Sequence, residues 1–422
     1  PRHLAIMDCL ATMAGIETTA KLFLNPYMNL TDPETGRLYP VATSMLATRR
    51  IATSAPNPMQ LSKRASSTFV RGFFGPDYDD HVLVSLDWSA VELLLIGEFS
   101  GDPEYVKAYG ALPHKDLHAG AAVSVLQTVI PEMTDELFHK MKGMTVEELD
   151  AINPRILTNV RGERIDPSKS HSYWRTEVGK SASFEWPYSG MLRNTAEKLG
   201  LSREQMFEAI DRYKTRFAVA EQWRLDTIAK CQRDGYVELL DGHRRTRFEA
   251  TPQWREIFMS KFAHIKDDNV QNFLGLMARS IQSRAANQAV NSVVQGSCAT
   301  LTKRSTLRVR ERFKQLGWTK RDVAYKMSVH DELVISAHKN LVVPVINEVY
   351  DVMCTHPELV RNLKLDASPS IGLTFEPYGT KALLGQIELR ECPTLPGVSQ
   401  TGRLDDDGIR QVVDYLFSNR YT

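Results

Sequence analysis

Ala324-Tyr-Lys-Met-Ser-Val329-His330-Asp331-Glu332-Leu-Val-Ile-Ser-Ala337 sets two β-rich runs, residues 324–329 and 332–337, on either side of a polar pair. Runs of this kind separated by two residues read as an antiparallel hairpin, which puts His330 and Asp331 at its tip. An acid there is exposed and aimed. A second β-rich run, His81-Val-Leu-Val-Ser-Leu-Asp87-Trp88, ends in another acid and meets Ser89-Ala-Val-Glu92. The S-x-x-E pattern predicts a capping box, so this strand is expected to feed directly into a helix closed by Ser100-Gly101. Carboxylates at two strand ends can share hard divalent cations with substrate phosphates, and paired cations suit an in-line phosphoryl displacement. Either acid alone is more simply an ordinary turn residue, because Asp is common in turns for local hydrogen-bonding reasons.

Farther out, Ser202-Arg-Glu-Gln205 is a second capping box. It is followed by Phe207, Ile210, Tyr213 and Phe217 at helical spacing, and a stop at Asp234-Gly235 predicts one long amphipathic helix. Residues 236–240 and 243–248 flank Asp241-Gly242, which predicts a hairpin with a two-residue type I′ turn and a strongly basic second strand. Lys180, Phe184 and Tyr188 recur every four residues, so on a helix they form a stripe that is cationic at one end and aromatic toward the other. Such a stripe could hold a triphosphate and stack a base, or be the half-buried face of an amphipathic helix. Gly179-Lys180-Ser181 mimics the end of a phosphate-binding P-loop, but position 174, where that pattern needs Gly, is Trp. Taken singly, Glu92 has a bland role as the capping-box acid, and Gln295-Gly296-Ser297 could be an ordinary turn.

Composition bounds these readings. The 422 residues allow two or three domains or one large multi-lobed unit, and 42% apolar with 24% charged residues excludes disordered, collagen-like and coiled-coil chains. No run approaches a membrane span; the longest apolar stretch, residues 91–96, is interrupted by Glu92. With 52 basic and 51 acidic residues the net charge is +1, so a nucleic-acid site has to come from local clustering. Five cysteines, none in a C-x-x-C pair, are too few to staple a chain of this size and suit a reducing compartment. Residue 1 is Pro with no leader-like segment behind it, so the chain reads as cut from a longer one. Residues 31–39, 153–170 and 376–398 are polar or carry Pro and Gly, and read as loops, the last separating a C-terminal tail. In that tail Ile409, Val412, Val413 and Leu416 share one helical face. Docking on the chain's own body is favoured over an unknown protein partner, since amphipathic helices usually serve the nearest core.

Together the segments resemble the family A DNA polymerases, the bacterial polymerase I and phage replicative type. Val84-Ser-Leu-Asp87-Trp-Ser-Ala-Val-Glu92-Leu is similar to the family's motif A, Lys180-x-x-x-Phe184-x-x-x-Tyr188 to motif B on the fingers helix, and Val329-His330-Asp331-Glu332-Leu333 to motif C. Thr48-Arg-Arg50 with Pro56-Asn57, Asp116-Leu-His118 and Val294-Gln295-Gly296 resemble supporting segments.

The resemblance implies an α+β fold: a right-hand polymerase palm on an antiparallel sheet, helical fingers, and a thumb that is largely missing. It implies thumb base and palm over 1–119, fingers over 120–285, palm over 286–380 and a tail over 381–422. The implied activity is template-directed DNA synthesis in replication or repair, with two Mg²⁺ ions, primer–template DNA and deoxynucleoside triphosphates as partners. The implied setting is the cytoplasm of a bacterium or phage-infected cell, away from membranes. Asp87 and Asp331 would be the catalytic metal-binding carboxylates, with Glu332 nearby. Glu92 would exclude a 2′-hydroxyl, His118 and Lys180 would hold the triphosphate, Phe184 would stack near sugar and base, and Tyr188 would close the templating position. Arg50, Asn57, Asn291, Gln295 and His330 would contact primer and template through backbone and minor-groove atoms.

The departures are specific. Thr176 stands where the family carries Arg four residues before the motif B Lys, with Arg175 one place earlier. Glu185 and Ser189 replace glycines, Pro187 interrupts the helix, Leu94 replaces an Arg, and residues 131–170 lengthen the spacing between motifs A and B. A single-subunit RNA polymerase is disfavoured by Glu92, and a non-catalytic DNA-binding remnant is suggested by the altered motif B.

Overall fold

The computed structural model describes residues 2–44, 46, 48–61, 68–376, 385–389 and 406–420, the first three by backbone alone. The chain forms two compact units, one of Pro1–Ser89, Cys298–His356 and Leu365–Thr422, the other of Ala90–Ser297 and Pro357–Lys364.

The first unit is built on sheet. A small antiparallel pair, β1 (Val41–Thr43) and β2 (Ala52–Ser54), precedes β3 (His81–Trp88). The long strands β6 (Val323–Val329), β7 (Glu332–His338) and β8 (Ala367–Gly372), with the short β9 (Ile387–Glu388), follow two further strands of the other unit, β4 (Tyr236–Glu238) and β5 (Arg244–Thr246). The sheet order is β6-β7-β3-β8-β9, antiparallel throughout. Of the eight β3 residues only Asp87 escapes full burial, because a central strand covered on both faces reads as a continuous apolar run. The Val342–Cys354 helix packs on β3 and β8, and the C-terminal Asp406–Ser418 helix packs on both that helix and β8. Ile409, Val412, Val413 and Leu416 are buried there, and Arg420 pairs with Asp79 at 2.6 Å, so the tail helix serves its own body. The expected connector at 376–398 falls mostly outside the described residues.

The second unit is helical. Its hairpin pairs β4 (Tyr236–Glu238) with β5 (Arg244–Thr246). Leu239 N–H bonds the His243 carbonyl and Gly242 N–H bonds the Leu239 carbonyl, which encloses three loop residues, and only Gly242 takes a positive φ of 77°. That is a type I turn closed by a left-handed glycine, not the expected type I′ turn, which needs positive φ at both central residues. The Ser202–Gln205 capping box forms, but the helix it opens ends at Arg216. Phe217, at φ −110° and ψ 45°, breaks the expected single helix, and a second helix, Ala218–Asp234, follows before Gly235 closes it in the left-handed conformation. Phe217 is fully buried against Tyr105 and Tyr213, with ring centroids 5.7 and 4.6 Å away, so packing outweighs helical continuity.

A second expectation also yields to tertiary structure. Ser89 does not cap the helix after β3; its N–H bonds the Asp366 carbonyl at 2.9 Å and its hydroxyl meets Ser368. Ala90 is the N-cap residue, left-handed at φ 52°, and the helix runs Val91–Ser100. Glu92 is thereby released from capping. Residues 131–170 fold as short helices and turns whose apolar residues Met133, Phe138, Met141, Leu149, Ile156 and Leu157 are fully buried. Gln295 and Gly296 lie within a 48-residue helix, Asp268–Gln315, and so form no turn. Among the described residues no helix is long and apolar enough to cross a membrane.

Candidate functional site

In the sheet unit the strand ends that carry the acids lie side by side. Val329 pairs with Glu332 across a two-residue turn in which His330 takes φ 58°. Asp87 lies directly opposite Glu332 in the β3–β7 register, while Asp331 occupies the adjoining turn. Cross-strand neighbours sit about 5 Å apart, so three carboxyl-bearing residues cluster at one end of the sheet. Glu332 is 4% exposed, whereas Asp87 and Asp331 are half-buried.

One cation beside them was not anticipated. Arg71 is 2% exposed, and its guanidinium donates to the Leu61 carbonyl at 3.2 and 2.9 Å and lies 4.2 Å from the Phe375 ring centroid. Burial lowers its pKa, against which Glu332 and Asp87 act as favourable charges. The only signal in the sequence is a charge inside the aromatic run Phe69-Val-Arg71-Gly-Phe73. His330 is exposed; partial desolvation and then the Arg50 charge lower its pKa, while a hydrogen bond to the Met59 backbone and the Asp87 charge oppose them. Asn57 caps the turn bearing Met59, accepting from Met59 N–H at 3.1 Å and from the Thr53 hydroxyl at 2.8 Å. Arg50, Asn57 and His330 are thus held on the same unit as the acids.

Among the described residues no three His, Cys, Asp or Glu side chains converge as a ready-made metal cage. The donor set is nonetheless hard oxygen from carboxylates at a strand end and a turn. That fits a magnesium-like cation, which takes one or two carboxylates and completes its shell with water and substrate phosphate.

In the helical unit the expected Lys180 stripe starts on an irregular turn. Arg175–Lys180 is a π-helix, with i→i+5 periodicity, continuing into the Ser181–Ser189 α-helix. A π turn accommodates one extra residue, so Arg175, five places before Lys180, returns to the face that a four-residue spacing would have given Thr176. Reading with the ordinary helical period missed it. Arg175 Nε donates to Asp116 at 2.6 Å. Burial would raise the Asp116 carboxyl, but Arg175 outweighs it and holds it low. Asp116 in turn caps the Leu117–Leu126 helix.

His118 on that helix is 8% exposed; its Nδ1 lies 3.0 Å from the Ser183 hydroxyl and its ring 5.9 Å from Phe184. Burial first, then Arg175 and Lys180, depress its pKa to about 4 against the pull of Asp116. Lys180 Nζ is 6.0 Å from the Phe184 ring centroid. At the far end of the stripe Tyr188 donates to Glu92 at 2.6 Å. Tyr188 also lines a groove of about 380 Å³ with Ser280, Ser283, Arg284, Asn287 and Asn291. Gln295 lies one helical turn beyond Asn291.

The departures from the family pattern acquire local reasons. Pro187 falls in the last turn of its helix, which Gly190 closes at φ 65°, one place after Ser189. Glu185 accepts hydrogen bonds from the Asn194 and Thr195 N–H groups, at 2.8 and 3.1 Å, and from the Thr195 hydroxyl. It therefore caps the start of the Arg193–Leu199 helix.

Comparison with known proteins bears on the family and the fold. The model of the family described as DNA polymerase family A matches residues 3–146 and 160–376. DNA polymerase I of Thermus thermophilus is 24% identical over 338 residues, covering 79% of this chain and 32% of the relative; that of Bacillus caldotenax is 21% identical over 368 residues, covering 87% and 34%. The chain thus spans about a third of the length of these relatives. Among solved structures, the polymerase domain of Pol1 from M. smegmatis, in complex with DNA primer-template and dNTP, superposes with a TM-score of 0.61 at 18% identity, covering 83% of this chain and 50% of that one. With the family model matched over most of its length, the chain belongs to DNA polymerase family A.

Proposed function

We propose that this chain extends a primer on a DNA template. The primer 3′-hydroxyl attacks the α-phosphorus of a deoxynucleoside triphosphate, the bond to the bridging oxygen of the β-phosphate breaks, and pyrophosphate leaves. The observation that carries this reading is Asp87 opposite Glu332 with Asp331 on the adjoining turn, in a chain of this family.

Asp87 and Asp331 would hold the cations, Glu332 flanking them. Two Mg²⁺ ions, when bound, supply activation of the attacking hydroxyl and charge stabilisation of the leaving oxygen. Lys180, His118 and Arg175 are assigned to the triphosphate, Phe184 to sugar and base, Glu92 to exclusion of a 2′-hydroxyl and Tyr188 to the templating position. Arg50, Asn57, Asn291, Gln295 and His330 are assigned to primer and template. Phosphoryl transfer asks a protein mainly for positioning and charge, which is what these side chains offer. Residues 1–119 are assigned to the thumb base and palm, 120–285 to the fingers and 286–380 to the palm.

The test is extension of a labelled primer with four deoxynucleotides and Mg²⁺, beside Asp331→Ala. Extension lost in the variant supports the assignment. Equal extension by both removes Asp331 from the site, and primer–template binding without turnover by the parent chain favours a non-catalytic remnant.

A further inference from the structure

The Ser183 hydroxyl has a single proton and, with the Tyr213 hydroxyl nearby, two hydrogen-bonding neighbours. It donates to the Gly179 carbonyl at 2.7 Å, and His118 Nδ1 stands 3.0 Å from the same oxygen. An oxygen–oxygen approach of 2.7 Å to a carbonyl requires the serine proton, so the histidine contact has to be donated by Nδ1–H. In the neutral ring Nε2 is then a lone pair. No hydrogen bond is made at Nε2 among the described residues. A phosphate oxygen is also an acceptor, so the two cannot bond without a proton between them.

We infer that Ser183 is a positioning residue that fixes His118 as its Nδ1–H tautomer, so that binding of a nucleoside triphosphate is coupled to uptake of a proton at His118 Nε2. This rests on the assignment of His118 to the triphosphate. The electrostatics supply the reason why the proton is absent beforehand. Burial, Arg175 and Lys180 disfavour the imidazolium, and Asp116, already paired with Arg175, offsets them only in part. From the other helices packed here, Tyr213 is kept neutral by burial, and Arg216 is closed in ion pairs with Glu104 and Asp135. A bound triphosphate adds anionic charge beside Arg175 and Lys180, which reverses their effect on the ring.

The experiment uses the full chain with a primer–template whose primer is chain-terminated, titrated with a deoxynucleoside triphosphate and Mg²⁺ by calorimetry in buffers of differing ionisation heat. Near pH 7 the parent is expected to take up as much as one proton more per nucleotide than His118→Gln, the excess declining as pH rises toward 9. Its affinity should fall up to about tenfold per pH unit more steeply. Ser183→Ala should lose most of that excess, and Ser183→Thr, which keeps the hydroxyl, should retain it. If His118→Gln weakens binding but the parent shows no excess proton uptake, the coupling is wrong and the assignment stands. If His118→Gln changes neither affinity nor uptake at any pH, or if the parent binds no nucleotide, the assignment and the inference fail together.

Discussion

The Tyr188 hydroxyl donates a 2.6 Å hydrogen bond to the Glu92 carboxylate, tying the last turn of the Lys180 helix to the first turn of the helix after β3. Glu92 is available for this bond because Ala90, left-handed, starts the helix in place of Ser89. If Glu92 excludes a 2′-hydroxyl, Tyr188 holds it in the excluding position. A hydrogen bond to a charged group contributes about 1.5–3 kcal/mol, or roughly ten- to a hundredfold. Tyr188→Phe is therefore expected to relax discrimination against ribonucleotides by about tenfold. Glu92→Ala should relax it further. The check is the ratio of kcat/KM for ribo- and deoxynucleotides.

Asp87→Asn and Asp331→Ala should each lower extension on the order of a thousandfold, corresponding to about 4 kcal/mol of lost charge stabilisation. Primer–template affinity should stay within a few fold, because neither acid is assigned to DNA. Chelation of divalent ions should abolish turnover of the parent and leave binding intact. A filter-binding assay beside the extension assay separates the two effects.

Much of this was legible because it is local. The β-rich runs around His330-Asp331 and the apolar run ending at Asp87 gave their strands directly, and the turn between Val329 and Glu332 needed only two residues. What pairs with what was not legible. That β3 lies between β7 and β8, setting Asp87 against Glu332, depends on contacts between segments more than 240 residues apart in sequence. Two of the failures share one cause, tertiary contacts outweighing local preference. Ser89 is drawn to Asp366 and Ser368, and Phe217 is buried against two tyrosines, whereas the π turn at Arg175–Lys180 is a local departure from the ordinary helical period. Arg71 was invisible because burial beside carboxylates is a property of the fold.

Two buried histidines predict acid sensitivity. His118 and His171, 8% and 6% exposed, are both depressed to about 4, chiefly by burial. The unfolded chain protonates them near pH 6.5, while the folded chain resists until about pH 4. Stability should therefore be complete above about pH 6.5 and fall progressively toward pH 4, by a few kcal/mol. Urea midpoints across that range check the sign, and the His118→Gln, His171→Gln double variant should flatten the profile.

Glu185→Gly would restore the residue the family pattern carries. Here it removes a carboxylate that accepts three hydrogen bonds at the start of the Arg193–Leu199 helix and places glycine within a helix. The loss is expected at about 3 kcal/mol, read as a lower urea midpoint. Nucleotide KM should change little, because Glu185 is engaged with the neighbouring helix and not with Lys180 or His118.

Gly179 fixes the spacing on which the proposed triphosphate site depends. A methyl group there would lie 2.1 Å from the His118 carbonyl oxygen and 3.0 Å from the Ala122 Cβ. The first of these is backbone and cannot rotate away, so the π turn and the Leu117–Leu126 helix would have to part by roughly an ångström to reach ordinary C···O contact. His118 and Asp116 ride on one side of that contact, Lys180, Arg175 and Ser183 on the other. The 2.6 Å Arg175–Asp116 bond and the 3.0 Å His118–Ser183 contact would both be stretched. Gly179→Ala should cost about 1–3 kcal/mol in stability through overpacking. It should also raise nucleotide KM about tenfold or more, since misplacement by an ångström is costly where several groups act together. Gly143→Ala, where the added methyl meets nothing and φ is not positive, supplies the control and should leave both quantities unchanged. Gly179→Ala with parental KM would mean that the two helices part without disturbing nucleotide binding, and would remove His118 and Lys180 from a shared site.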